Sequence, residues 1–314
     1  MTSQQIKNTA RLRLATAGYP PKKLVLIYMA ITAGANLLSL LLSFAVSLMM
    51  ENTGGLSDLG TRAILETVST VFSYAVQIAA PLFSMGLLHC FLLVTREKTA
   101  TPKDLLTGPK RWGVTLRLGF LLALTYFAIG YLLLNVASIV FAFLPTSKGV
   151  MESMMAMMEK AALAETAPSM EDLLPLAKAL APAYVIWAIL LVVVLIPLSY
   201  RLRLTTFQIM EETPTGAIKA AFQSLRLMKG NCKSLFKLDL SFWWYYLLQI
   251  LLSAAISVAA YFASDVWYVV AYCVYCLAFF LLEYRFLSLV QVSYAVFYDS
   301  LQEAPTIPLP QIEE

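Results

Sequence analysis

Apolar residues in this chain run in long unbroken blocks, with polar residues gathered between them. Six blocks cover 24–50, 68–94, 118–143, 181–200, 240–263 and 266–286, each long enough to cross a hydrocarbon core about 30 Å thick, for which about 20 apolar residues are needed. The bilayer interior offers no water to a bare backbone, so each block predicts a transmembrane helix. The first is about twice as long as the 7–15 apolar residues of a signal peptide and is expected to remain as a span. Apolar character persists from Val266 to Phe297, further than one crossing requires. Glu283 and Arg285 stand where the hydrocarbon should end, so the sixth span is expected to leave the membrane near Phe286 and to continue as an interfacial helix through Tyr298.

The connections predict further structure. Residues 1–23 read as an amphipathic amino-terminal segment, 144–180 as a long, partly helical loop between the third and fourth spans, and 299–314 as an acidic tail. In the loop 201–237, Thr213-Pro214-Thr215 supplies a cap and a first-turn proline. Ile218, Ala221, Phe222 and Leu225 then recur at helical spacing, and Gly230-Asn231 closes the run. The expected fold is an all-α polytopic membrane bundle of six transmembrane helices, residues 24–298, with interfacial amphipathic helices.

Charge orients it. Of 23 Lys and Arg residues, eighteen fall in 1–23, 95–117 and 201–237, and the alternate loops hold only Arg62, Lys148, Lys160 and Lys178. The positive-inside rule then places both termini in the cytoplasm and the protein, multi-pass, in the cytoplasmic (inner) membrane. Trp243, Trp244, Tyr245 and Tyr246 at the head of the fifth span, and Tyr261, Phe262, Trp267 and Tyr268 around the turn at Asp265, fit aromatic belts at the two interfaces. Composition agrees: 60% hydrophobic, 13% charged, mean hydropathy +0.73, against about a quarter charged in a soluble domain. The net charge of +4 is too mild for a nucleic-acid binder.

The run Ala221-Phe-Gln-Ser-Leu-Arg-Leu-Met-Lys-Gly230-Asn231, followed by Leu235-Phe-Lys-Leu-Asp-Leu-Ser-Phe242, resembles a bacterial integral-membrane family known as domain of unknown function number nine hundred and seventy-five. Ser3 to Leu14 and Tyr294-Ala-Val-Phe-Tyr298-x-x-Leu301 extend the resemblance over most of the chain. That family usually has a Gly-Trp pair after Leu-Ser-Phe, whereas Trp243-Trp244-Tyr245 stand here, and the long 144–180 loop is particular to this sequence. The resemblance implies a multi-span membrane protein and no specific reaction. The segments Arg96-Glu-Lys-Thr-Ala-Thr-Pro102 and Glu211-Glu-Thr-Pro214 each join two spans through a Thr-Pro-capped piece; a parallel internal repeat and shared hairpin constraints both account for the likeness.

Candidate chemistry is sparse. Ionisable residues in spans are the default place to look for function, and here they stand near span ends. Arg117, Arg201, Arg203, Asp239, Glu283 and Arg285 form the expected charge cluster, with Asp239 and Glu283 pairing with Arg117, Arg201 or Arg203. Lys219, Arg226, Lys229, Lys233 and Lys237 lie along or after the amphipathic run and are expected to contact anionic headgroups; fixing topology is the plainer role for the same charges. Met151, Met154, Met155 and Met158 share one stripe of a helix, which reads as packing against the outer membrane surface or the spans, with a soft-metal site as the weaker alternative. Cys273 and Cys276 share a face inside the sixth span and read as structural. His89 is the single histidine and reads as an interhelical hydrogen-bonding group. Ala30-x-x-x-Gly34 would allow close helix contact.

No hydrolase, nucleotide or metalloprotease motif occurs, so no catalytic residue, cofactor or resident metal is expected. The expected role is non-catalytic: membrane interaction, assembly or lipid association, with lipids and a membrane-protein partner or second copy as its contacts and no nucleic acid. The alternative is a transporter or permease subunit for a small molecule or lipid, disfavoured by the lack of charge at mid-membrane.

Overall fold

The structure is a computed structural model that describes residues 1–52, 59–144, 147–164, 170–211, 216–262 and 265–302. Every element among the described residues is helical. The long helices are α2 (Pro21–Asn52), α3 (Leu59–Thr95), α5 (Trp112–Ala142), α7 (Met170–Leu202), α11 (Trp243–Phe262) and α12 (Asp265–Gln302). Shorter ones are α1 (Ser3–Ala15), α4 (Thr107–Lys110), α6 (Ser147–Ala164), α8 (Thr205–Ile209), α9 (Ala217–Leu227) and α10 (Cys232–Leu240), with a 3-10 turn at Pro102–Leu106.

Among the described residues, five helices are long and apolar enough to cross a membrane by themselves. A sixth span results if α10 and α11, bent by 65° at Ser241-Phe242, are counted together. The fifth expected span, 240–263, falls on α11; the run before it, polar on one side, is the separate helix α10, which lies across the direction of α11. Many large side chains of the spans are exposed, among them Leu37, Leu38, Phe44, Phe127 and Val193, as suits helices whose solvent is lipid.

The chain divides into two compact units, Met1–Arg117 with Arg203–Glu314, and Leu118–Leu202. In the first, α2 and α3 form a hairpin held by hydroxyl pairs at Ser39···Ser73 (2.9 Å) and Ser43···Ser69 (3.1 Å). Farther along α3, the peptides of Gly86 and Gly108 are packed so closely that a Cβ on Gly86 would stand 1.8 Å from the Leu105 carbonyl oxygen, and one on Gly108 1.9 Å from that of Leu82. Only glycine admits the 3-10 turn and α4 to that groove. Thr101 caps the turn through Asp104 (2.7 and 2.8 Å). The corresponding cap at Thr213-Pro214-Thr215 lies outside the described residues. Gly34 has no atom within 4 Å of its Cβ position, so within the described chain no helix packs closely at that point.

The interfacial helix expected after Phe286 does not form; α12 runs unbroken for 38 residues, about 57 Å at 1.5 Å per residue. Its last turns are buried on every side: Val290, Val292, Ser293, Tyr294, Ala295, Val296, Phe297 and Tyr298 are all in the core. A helix apolar all round belongs inside a bundle, not at an interface. Helices α1, α2, α3 and α11 pack round α12. Residues 299–302 of the expected tail continue this helix; 303–314 lie outside the described residues.

Helix α1 begins with a capping box, in which Thr2 Oγ1 accepts from the Gln5 backbone while Gln5 accepts from the Thr2 N–H (2.8 Å). It buries Ile6 and Ala10, so the amino-terminal segment is part of this core.

In the second unit, the Trp187 indole donates to the Gly130 carbonyl (3.2 Å), tying α7 to α5, and α6 packs on α7. Most of the expected 144–180 loop is thus helix, because α7 already begins at Met170. Met151, Met154, Met155 and Met158 are exposed on α6.

Candidate functional site: a polar collar around the end of α12

Tyr294 and Tyr298 stand one turn apart on α12, on one face, and each anchors a polar network. The Tyr298 ring stacks on Phe207 of α8 (5.3 Å between centroids), and its hydroxyl donates to Glu211 Oε1 (3.0 Å). Arg96, the first residue after α3, grips both oxygens of Glu211 (2.7 and 2.8 Å) and reaches Asp299 Oδ1 (2.8 Å). Gln302 donates to the Tyr298 hydroxyl (2.7 Å). One guanidinium therefore joins α3, the end of α8 and the end of α12, with the planar fork matched to a carboxylate. Burial would push the Glu211 carboxyl up, but Arg96, Tyr298 and Gln302 together hold it below the ordinary carboxylate range. The hydrogen bonds to Glu211, against the cost of burial, hold Arg96 above its usual range.

The carbonyls at and just after the end of α8 face donors from elsewhere in the unit. Arg111 donates to Ile209 (2.8 Å) and Glu211 (2.6 Å), and His89 Nδ1 lies 2.9 Å from the Met210 oxygen. Unpaired carbonyls at a helix end need such donors. His89 is thus the interhelical group expected of it, with its proton on Nδ1.

The second network surrounds Tyr294. Its hydroxyl donates to Asp239 Oδ1 of α10 and bonds the Tyr246 hydroxyl of α11. Arg203 lies 4.6 Å over the Tyr294 ring and 3.7 Å from Asp239 Oδ2. Nearby, Lys7 of α1 donates to the Ser241 carbonyl (2.6 Å) with its ammonium 4.2 Å over the Phe242 ring, capping the bend between α10 and α11. Burial, and then Arg11, lower the Lys7 ammonium below its usual range. Arg13 pairs with Glu97.

Of the expected charge cluster, the structure brings Arg203 and Asp239 together. Arg117, Arg201 and Arg285 are exposed. Glu283 does not pair with a guanidinium; its Oε1 accepts from the Tyr245 hydroxyl (2.8 Å) and the Gln249 amide (2.6 Å). The reason is local. Arg203 is already engaged by Asp239 and the Tyr294 ring, and Arg285, two residues on, points elsewhere on the helix. Arg96, Glu211, Asp299, Tyr294 and Tyr298 carry the collar yet were not among the expected site residues. The Tyr294-x-x-x-Tyr298 spacing was the available signal.

Lys219, Arg226, Lys229, Lys233 and Lys237 are all exposed. On α9 the buried face is Ala217, Ala220, Ala221 and Ser224, with Met228 just beyond. Ile218 and Phe222, two of the four apolar residues at helical spacing, are 63% and 68% exposed. Phe236 and Leu240 of α10 and Trp243 and Trp244 at the start of α11 are exposed as well. The α9–α10 segment therefore presents bulky apolar groups together with five cations. Cys273 and Cys276 are exposed free thiols on α12. No cluster of three or more His, Cys, Asp or Glu able to hold a metal occurs among the described residues.

Comparison with protein-family models, with curated proteins and with solved structures finds no match to this chain.

Proposed function

We propose that this is a six-span, non-catalytic protein of the cytoplasmic membrane that associates with anionic lipid through its α9–α10 face and so organises membrane components. The observation that carries the reading is the composition of that face: Ile218, Phe222, Phe236 and Leu240 beside Lys219, Arg226, Lys229, Lys233 and Lys237. Bulky apolar groups rimmed by cations suit the boundary between headgroups and acyl chains, where each cation near an anionic surface is worth about 1 kcal/mol. In this reading α10 and α11 are one broken span, the collar lies at the cytoplasmic side, and both termini are cytoplasmic. The packing of α1 against α12 supports placing the two ends of the chain on one side. The resemblance to domain of unknown function number nine hundred and seventy-five is part of the same proposal and rests on the Leu-Met-Lys-Gly and Leu-Asp-Leu-Ser-Phe runs.

Native mass spectrometry in micelles doped with phosphatidylglycerol and phosphatidylcholine tests it. The wild type is expected to retain phosphatidylglycerol in preference, and the variant with Lys219, Arg226, Lys229, Lys233 and Lys237 all changed to Gln to bind it at least tenfold more weakly, from about 1 kcal/mol per cation. Equal retention of the two lipids by the wild type contradicts the reading.

A further inference from the structure

Glu283 has a different character from the other carboxylates described above. Glu211 and Asp299 face Arg96, and Asp239 faces Arg203. Glu283 is 7% exposed and both of its hydrogen-bond donors, Tyr245 and Gln249, converge on Oε1.

No cation faces it from any helix packed on α12, among the described residues. From α2 the Tyr28 phenol lies near enough to interact with it electrostatically, while Lys22 of the same helix lies over the Tyr284 ring. From α11 it meets Tyr245 and Gln249; the neighbouring Tyr246 is turned to Tyr294. On α1, Lys7 is held by Ser241, Arg13 by Glu97, and Arg11 is exposed. On α3, His89 is held by the Met210 carbonyl. Arg285 of α12 itself is exposed.

Removing an ionised carboxylate from water without a counter-ion costs more than two neutral donors on one oxygen return. The uncharged acid avoids that cost, and its second oxygen is the one left without a donor. Ionisable groups placed this way within membrane bundles mark proton sites.

We propose that Glu283 is a proton-binding site: at neutral pH it takes one proton from bulk water onto Oε2 and stands in the bundle as a carboxylic acid, Oε1 remaining the acceptor for Tyr245 and Gln249. The collar networks play no part in this, and the site is independent of lipid association at α9–α10.

Infrared spectroscopy of the full chain in nanodiscs at neutral pH tests the site. The wild type is expected to show the carbonyl stretch of a protonated carboxyl, lost in Glu283→Gln and shifted to higher frequency in Tyr245→Phe, which removes one donor. Gln is an isostere of the acid, so the Glu283→Gln variant should melt with the wild type at neutral pH, and only the wild type should lose stability as the pH is raised. A wild-type spectrum without the band overturns the proposal however the variants behave. So does a band that neither substitution moves.

Discussion

Arg96 joins three helices of the first unit, since its guanidinium meets Glu211 115 positions away and Asp299 203 positions away. Replacing it with Met strands two carboxylates, and hydrogen bonds to charged groups are worth about 1.5–3 kcal/mol. A loss of that order is expected in a thermal or denaturant melt of Arg96→Met, and Arg96→Lys should recover little, because an ammonium cannot engage both oxygens of Glu211 as the planar fork does. The same ring sets an acid limit. The folded-state value of Glu211 is depressed, so its contribution is fully present above the ordinary glutamate range and is lost as the pH falls through the lowered value; Arg96 stays charged throughout. Melting temperature measured against pH should therefore fall more steeply on the acid side for the wild type than for Glu211→Gln. These partners could not be read from the sequence, where separations beyond a hundred residues leave no periodic trace. Asp239 and Arg203 were legible because depth in the membrane narrows the choice of partner, and Glu283 was misassigned because depth alone does not say which side of a helix faces the guanidinium.

Among the elements, the long apolar blocks were legible from length and hydropathy, and the helices fall where those blocks stand. What was not legible is how the short helices pack. In α9 the small residues Ala217, Ala220, Ala221 and Ser224 turn inward and the bulky Ile218 and Phe222 outward. Small residues let helices approach closely, so the periodic run Ile218, Ala221, Phe222 and Leu225 is split: Ala221 is buried with its small neighbours, and the bulky Ile218 and Phe222 are exposed. The 3-10 turn and α4 depend on glycine in the same way. Gly86→Ala or Gly108→Ala would drive a Cβ into a carbonyl oxygen and should cost at least the 1–3 kcal/mol typical of overpacking, read as lost melting temperature or lost folded yield. Gly34→Ala, with open space around it, should be neutral or slightly stabilising, because alanine is the better helix former by up to about 1 kcal/mol.

At the scale of the molecule, the charge asymmetry that predicted orientation and the exposed face of α9–α10 concern the same cations. A segment rich in Lys and Arg can satisfy topology from any conformation; the structure adds that Ile218 and Phe222 are displayed beside them, which topology alone does not ask for. The most direct measurement is therefore depth. A nitroxide at Phe222→Cys, with Cys232, Cys273 and Cys276 changed to Ser and the buried Cys90 left in place, can be followed in phosphatidylglycerol nanodiscs by its collisions with oxygen and with a water-soluble nickel complex. The account predicts that oxygen, which concentrates among the acyl chains, dominates at position 222, and that nickel gains there when the five cations are changed to Gln. Collisions dominated by nickel in the otherwise unchanged protein would place this face in water and contradict the lipid-associated role.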